Sequence, residues 1–115
     1  MRSSLSSAND YSFAERLGAL FNMLEPDTQR QLADEPERFL AAIKHSRNKL
    51  AHITDETRGE VFEGSEFSHA NLSIRTWLTI LMLKECGISE SLILEKMVAA
   101  GYFYWGPFKF ERAAV

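Results

Sequence analysis

The stretch from Glu66 to Cys86 constrains the fold more than any other part of this sequence. Drawn as a helix, it has apolar residues around most of its circumference, which is typical of a helix buried among others. The residues that carry this pattern are Leu72, Ile74, Trp77, Leu78, Ile80, Leu81, Met82 and Leu83. A central helix of this kind needs several partners, and the chain has no clear strand signal. The sequence therefore predicts an all-α fold, a four- to five-helix up-down bundle.

Two partners are expected before the long helix that carries the motif described below. The first begins with Ser12 as N-cap and Glu15 completing a capping box, and Pro26 ends it. Residues 27–33 then give at most a short helical segment before Pro36. The residues expected to face inward on the first helix are Phe13, Leu17, Leu20, Phe21 and Leu24.

Two further helices complete the predicted bundle. Pro36 is well placed in the first turn of a long helix, and Ser89 is the expected N-cap of a last helix over residues 90–100. Gly87 and Gly101 stand where helices commonly end. Residues 55–65 are rich in acidic residues and predict a solvated loop. The predicted inward faces are Phe39, Ile43, Leu50 and Ile53 on the long helix and Leu92, Ile93, Met97 and Val98 on the last.

The 115 residues provide enough chain for one domain. We expect residues 1–11 to be a flexible N-terminal tail, residues 12–101 the helical domain, and residues 102–115 an aromatic C-terminal extension. That extension has six aromatic residues in the nine positions from Tyr102 to Phe110. Such rings can stack on unpaired bases, but they more often pack on a core or fill an interface, which is the favoured interpretation.

Charge and cysteine content narrow the function classes. The net charge of −3 and the pI of about 5.6 argue against a domain that coats nucleic acid, so any RNA contact must be local. Cys86 is the single cysteine and cannot form an intrachain disulfide, which favours a reducing, cytoplasmic location. The residue itself is expected to be a small buried apolar one. No stretch resembles a signal peptide or is long enough to cross a membrane, so no membrane partner is expected.

One segment is a basic patch, although the chain as a whole has a net negative charge. No acidic residue occurs from Phe39 through Thr54. The basic or protonatable residues of this stretch are Lys44, His45, Arg47, Lys49 and His52. A guanidinium can bind two phosphate oxygens at once, so the patch predicts contact with an RNA backbone. We assign RNA binding to Lys44, His45 and Lys49.

Helical geometry tests whether these groups converge. With the angle of Phe39 around the helix axis set to zero, Ile43 and Leu50 lie at about 40° and 20°, and these angles define the direction of the core. Asn48, His52 and His45 lie at about 180°, 220° and 240°, on the outer side of the helix. Arg47 lies at about 80°, at the boundary between the core-facing and outer sides. Arg47 would reach the other two only if the last turn distorts or a partner supplies half of the site.

The chemistry of RNA cleavage suits three residues of this patch. His52 can give or take a proton near neutral pH, as attack by the RNA's own 2′-hydroxyl requires. Arg47 would stabilise charge on the phosphate and Asn48 would orient the imidazole or the phosphate. We therefore predict Arg47, Asn48 and His52 as catalytic residues. The histidines have no partnering cysteines, so no metal and no cofactor is expected.

The run Arg47-Asn48-Lys49-Leu50-Ala51-His52 resembles the signature of HEPN domains: an arginine, a polar residue, a short spacer and a histidine. The chain is most similar to the C-terminal HEPN domain of ApeA-type anti-phage proteins, over most of residues 12–100. The resemblance implies a metal-independent endoribonuclease of anti-phage defence or toxin function, with the motifs of two copies meeting at a homodimer interface. It also implies an N-terminal sensor domain in a longer parent protein, or a separate antitoxin. Toxin relatives usually have a tyrosine where this chain has Thr54.

Simpler interpretations of the same residues stay open. His52 could cap the end of its helix, Arg47 could pair with Asp55 or Glu56, and Asn48 could be a tolerated poor helix former. His45 could equally be a solvated or interface residue. The alternative function is a non-catalytic HEPN helical module for dimerisation, RNA binding or partner binding.

Overall fold

The computed structural model describes residues 13–51 and 59–111, and these residues form five α-helices with no strand. The helices are α1 (13–22), α2 (Pro26–Leu32), α3 (Pro36–Ala51), α4 (Glu66–Glu85) and α5 (Glu90–Ala99). An isolated parallel bridge joins Ala33 to Phe108. The predicted all-α helical bundle is confirmed, whereas the dimer stays a prediction.

Most helix ends follow from local sequence. Pro26 lies in the first turn of α2, and the Gln29 side-chain amide donates to the carbonyls of Phe21 (3.0 Å) and Leu24 (3.1 Å), which satisfies acceptors where α1 ends. The Ser89 hydroxyl accepts from the backbone N–H of Leu92 at 3.4 Å, so the predicted cap of α5 is confirmed. The predicted cap Ser12 lies outside the described residues.

Two apolar clusters form the core. In the first, α1, α2, α4 and α5 meet around a T-shaped contact between Phe21 and Trp77, with ring centroids 5.1 Å apart. The second joins α3 and α4 to the segment before α4 and to the C-terminal segment, around Phe39, Phe62 and Phe108. Phe108 is buried, although it follows the last helix by nine residues.

Several predicted inward-facing residues lie at the surface instead. Leu50 is 71% exposed, and Leu92 and Val98 are exposed on α5, where only Ile93 and Met97 of the predicted set are buried. The prediction that Cys86 is buried is also wrong, because it lies exposed just after α4.

The prediction that α4 is the central helix is confirmed, because both apolar clusters contain its residues and together join it to α1, α2, α3 and α5. Its fully buried residues lie on one face, however, and Leu78 and Met82 are exposed on the other. The buried face also contains polar residues, which periodicity of apolar residues cannot reveal. Ser73 is one of them, and its hydroxyl donates to the Leu32 carbonyl at 2.9 Å.

A buried carboxylate joins α2, α4 and α5. Glu90 accepts from the backbone N–H of Glu25 and from the hydroxyl of Thr28, and it pairs with the Lys84 ammonium at 2.7 Å. Burial alone would raise the pKa of Glu90, but the hydrogen bonds from Lys84, Thr28 and Glu25 hold this pKa below its ordinary value. The ionised carboxylate therefore stabilises the fold at neutral pH.

None of the helices formed by the described residues has both the length and the apolar character that spanning a membrane requires.

Candidate functional site

Arg47 and Asn48 lie near the end of α3, and their side chains are in contact. The Arg47 guanidinium donates from Nη1 to Asn48 Oδ1 at 3.3 Å. Arg47 is exposed and Asn48 is half-buried. A guanidinium has five N–H donors, and this bond to the amide oxygen helps to fix the orientation of the group. The structure thus brings together two of the three predicted catalytic residues.

Phe13 also contacts this arginine. The Arg47 Cζ atom lies 4.6 Å from the centroid of the Phe13 ring, a cation–π distance. The contact places the first described turn of α1 beside the end of α3. Phe21, at the other end of α1, lines one cavity with Pro36 at the start of α3, so the two helices run antiparallel. From the sequence alone, Phe13 is predicted only for the inner face of its helix, because spacing within one helix does not reveal the residue that it meets on another.

The segment that follows residue 58 returns to the same half of α3. Gly59 has φ of +111° and lies against the His45 ring, so close that a Cβ added to Gly59 would be 2.4 Å from His45 Nε2. Only glycine adopts such a φ readily, and only glycine leaves room for the imidazole. His45 is therefore half-buried beneath this segment rather than on an open outer face.

A hydrogen bond fixes the same segment three residues further on. The backbone N–H of Phe62 donates to the buried hydroxyl of Ser46 at 3.0 Å. Arg38, nearer the start of α3, makes a bidentate ion pair with Glu60, with both N···O distances at 2.6 Å. Residues 59–62 are thus attached to α3 at two places, near its start by Arg38 and directly before the Arg47–Asn48 pair by Ser46. None of these supports is predicted by the sequence pattern.

Of the four basic or protonatable residues of the patch that the structure describes, three carry its positive charge at neutral pH. Burial, and then the positive charge of Lys44, lower the pKa of His45 below its ordinary value of 6.5. His45 is therefore mainly neutral at pH 7 and adds little charge, which leaves Lys44, Arg47 and Lys49 as the described cations of the patch. The predicted RNA contact of His45 would then be a hydrogen bond and not an ion pair.

His52 and residues 53–58 lie outside the described residues, as do Asp55 and Glu56, the alternative partners of Arg47. The predicted roles of Lys44, Lys49 and His52 stay predictions, and so does the catalytic assignment of Arg47 and Asn48. Within residues 13–51 and 59–111, no group of three or more His, Cys, Asp or Glu side chains is arranged to hold a metal ion.

The protein is thus a small all-α domain with an arginine–asparagine pair near the end of its α3 helix. A family model described as Apea-like HEPN matches residues 1–92 of the 115. The chain belongs to the Apea-like HEPN family, and the resemblance stated from the motif is confirmed. No curated protein and no solved structure gives a significant match.

Proposed function

We propose that this protein is a metal-independent endoribonuclease of the HEPN type that acts in anti-phage defence or as a toxin. The observation that carries the proposal is the Arg47–Asn48 contact near the end of α3, in a chain that belongs to the Apea-like HEPN family. His52 follows four positions after Asn48 in the sequence and supplies the group able to transfer a proton near neutral pH.

The reaction needs only the RNA and these side chains. The 2′-hydroxyl attacks the adjacent phosphorus and loses its proton, the bond from phosphorus to the 5′-oxygen breaks, and the leaving oxygen gains a proton. The products are a 2′,3′-cyclic phosphate and a 5′-hydroxyl. His52 transfers a proton, Arg47 stabilises the negative charge that builds up on the phosphate oxygens, and Asn48 orients Arg47.

The surrounding charges favour a phosphate backbone at this place. Lys44 and Lys49 lie on either side of the pair in the sequence, and the stretch from Phe39 through Thr54 has no acidic residue. In a chain of net charge −3, RNA is then attracted to one patch rather than to the whole surface. Binding that depends on these few cations weakens steeply as salt rises.

We also propose that two copies meet at the motif. Leu50, 71% exposed, is three positions after Arg47 and therefore close to it on the surface of α3. Covering this apolar side chain with a partner would remove its surface from water, which favours association. A dimer formed here would place two copies of the motif opposite each other and make one cleft for the RNA strand.

A cleavage assay on single-stranded RNA tests the proposal. Arg47→Ala and His52→Ala should each lower the rate by about 100- to 10,000-fold, while Arg75→Ala, which removes an exposed arginine of α4, should retain it. Wild-type cleavage should survive a chelator. A 2′-deoxy substitution at the cleaved nucleotide should prevent it, since the nucleophile is then absent.

Unchanged activity in both motif variants would reject the site, and loss of activity with chelator would reject the metal-independent mechanism. A wild-type chain that binds RNA or self-associates but cuts no RNA would instead be a non-catalytic HEPN module. Circular dichroism of each variant confirms that the fold is intact.

A further inference from the structure

The segment after α5 is firmly attached to the bundle. Phe108 is buried, its backbone N–H donates to the Leu32 carbonyl and its carbonyl accepts from the backbone N–H of Asp34, both at 2.9 Å. Nε2 of His69, on α4, lies 3.3 Å from the Gly106 carbonyl, which makes Nε2 the protonated nitrogen of that contact. The turn before Phe108 therefore has a fixed position on the domain.

This fixed turn nevertheless exposes two large aromatic side chains. Tyr104 is 81% exposed and Trp105 is 71% exposed. Their rings contact each other edge to face, with centroids 5.4 Å apart. A tryptophan that is presented to solvent by an anchored backbone is pre-organised for stacking, because little conformational freedom of the main chain remains to be lost on binding.

Trp105, unlike Tyr104, lines a cavity of about 470 Å³ next to the start of α4. This volume lies in the range of small-molecule sites, about 300–1,000 Å³. Ser65, Ser68, His69 and Leu72 line the side formed by α4. The cavity therefore combines one exposed aromatic face with several short polar groups, as a planar heterocycle would require.

The charges in the cavity disfavour a phosphate as the occupant. Two carboxylates, Glu66 and Glu111, face one ammonium, Lys109. Glu66 is buried and accepts from the backbone N–H groups of Glu63 (2.8 Å) and Glu111 (3.0 Å), so its charge is fixed in place. A neutral ring that carries N–H donors fits this surface, because carboxylates and hydroxyls can accept from it.

We propose that this cavity binds one unpaired nucleobase of a single-stranded RNA, with the base stacked on Trp105 and its N–H groups directed at Glu111 and the serine hydroxyls. The proposal rests on RNA being the ligand of the proposed function. A series of contacts links the cavity to α3. The backbone N–H of Phe62 donates to the Ser46 hydroxyl, the ring centroids of Phe62 and Phe108 are 5.2 Å apart, and those of Phe108 and His69 are 5.4 Å apart.

Binding can be tested apart from cleavage. The full chain carrying Arg47→Ala is titrated against a fluorescently labelled single-stranded RNA octamer, and anisotropy gives the affinity. Adding Trp105→Ala should weaken binding by about 5- to 150-fold, the usual effect of losing one stacked base. Trp105→Phe keeps an aromatic face and should recover most of the affinity.

Two controls separate stacking from other effects. Tyr104→Ala removes the more exposed neighbouring ring, which does not line the cavity, and should leave the affinity unchanged. The parent chain should bind an octamer of abasic ribose phosphate more weakly than the normal octamer. The Trp105→Ala chain should bind the abasic octamer with the same affinity as the parent chain does. Free nucleosides should compete at much higher concentration than the octamer.

Four outcomes would overturn the proposal: equal affinities with and without Trp105, equal loss with Tyr104→Ala, no preference for bases over abasic chain, or nucleosides binding as tightly as RNA. If Trp105→Ala alters the oligomeric state of the chain but leaves its RNA affinity unchanged, the proposal is also overturned and the cavity is assigned to a protein interface. Absence of cleavage by the wild-type chain would reject the nuclease proposal and leave this measurement valid.

Discussion

Replacing Gly59 with alanine tests the structural support of the candidate site most directly. A non-glycine residue at φ of +111° costs about 1–3 kcal/mol in backbone strain. The new Cβ would also lie 2.4 Å from Nε2 and 2.5 Å from Cδ2 of His45, so the imidazole has to leave its position. Forcing a side chain off its rotamer costs about 0.5–1.5 kcal/mol. We therefore expect Gly59→Ala to lower the free energy of unfolding by about 1.5–4.5 kcal/mol.

A double-mutant cycle separates the two contributions. In the His45→Ala background no ring obstructs the new methyl group, so Gly59→Ala should cost only the backbone strain. The coupling between the two substitutions should then be about 0.5–1.5 kcal/mol, measured by urea denaturation with a constant m-value. Costs that add to within about 0.3 kcal/mol would refute the proposed contact between Gly59 and His45.

Gly18→Ala is the matched control. Gly18 lies within α1, its added Cβ meets no atom within 4 Å, and its φ is ordinary for a helix. The same chemical change should therefore stabilise the protein by about 0.5–1 kcal/mol, because alanine is the better helix former. A destabilising Gly18→Ala would show that crowding, and not helix propensity, decides the effect at this position.

Two further predictions concern the Glu90 network and the Arg47 contact. The folded pKa of Glu90 is depressed, so its contribution to stability is present above its ordinary value of 4.5 and is lost as pH falls through the folded pKa. Glu90→Gln should lower the free energy of unfolding at pH 7 by about 1–3 kcal/mol and make this free energy decrease less as the pH falls. A decrease as steep as that of the wild type would exclude this role of Glu90. Phe13→Leu should slow RNA cleavage by about 2- to 5-fold through loss of the cation–π contact, whereas Phe13→Tyr should retain the rate. Equal rates for the leucine and tyrosine variants would contradict that assignment.

The helices could be predicted because their signals are local. Prolines at the starts of α2 and α3 and the Ser89 cap of α5 act within one turn of chain, and Gly87, with φ of +90°, ends α4 as expected. The burial of individual faces depends instead on which helices meet. Leu50 has the spacing of a core residue on α3, yet no other described element covers it.

In the candidate site, too, some features follow from local sequence and others depend on which elements meet. The motif is contiguous, so Arg47 and Asn48 could be found from sequence, and the structure places their side chains in contact. Their supports come from distant parts of the chain: Phe13 from α1, and Gly59 and Phe62 from the segment before α4. No periodicity within α3 specifies these partners, because their approach is decided by the packing of the whole domain.

This arrangement allows chemistry to be separated from folding. Arg47 is exposed, so truncating it should cost no more than about 1 kcal/mol of stability, the usual value of an exposed cation–π contact. Ser46, its buried neighbour, accepts the Phe62 N–H, and removing that acceptor should cost about 1–3 kcal/mol. An inactive Arg47 variant with wild-type stability would therefore report on the reaction itself, whereas an inactive Ser46 variant would report on the support of the site.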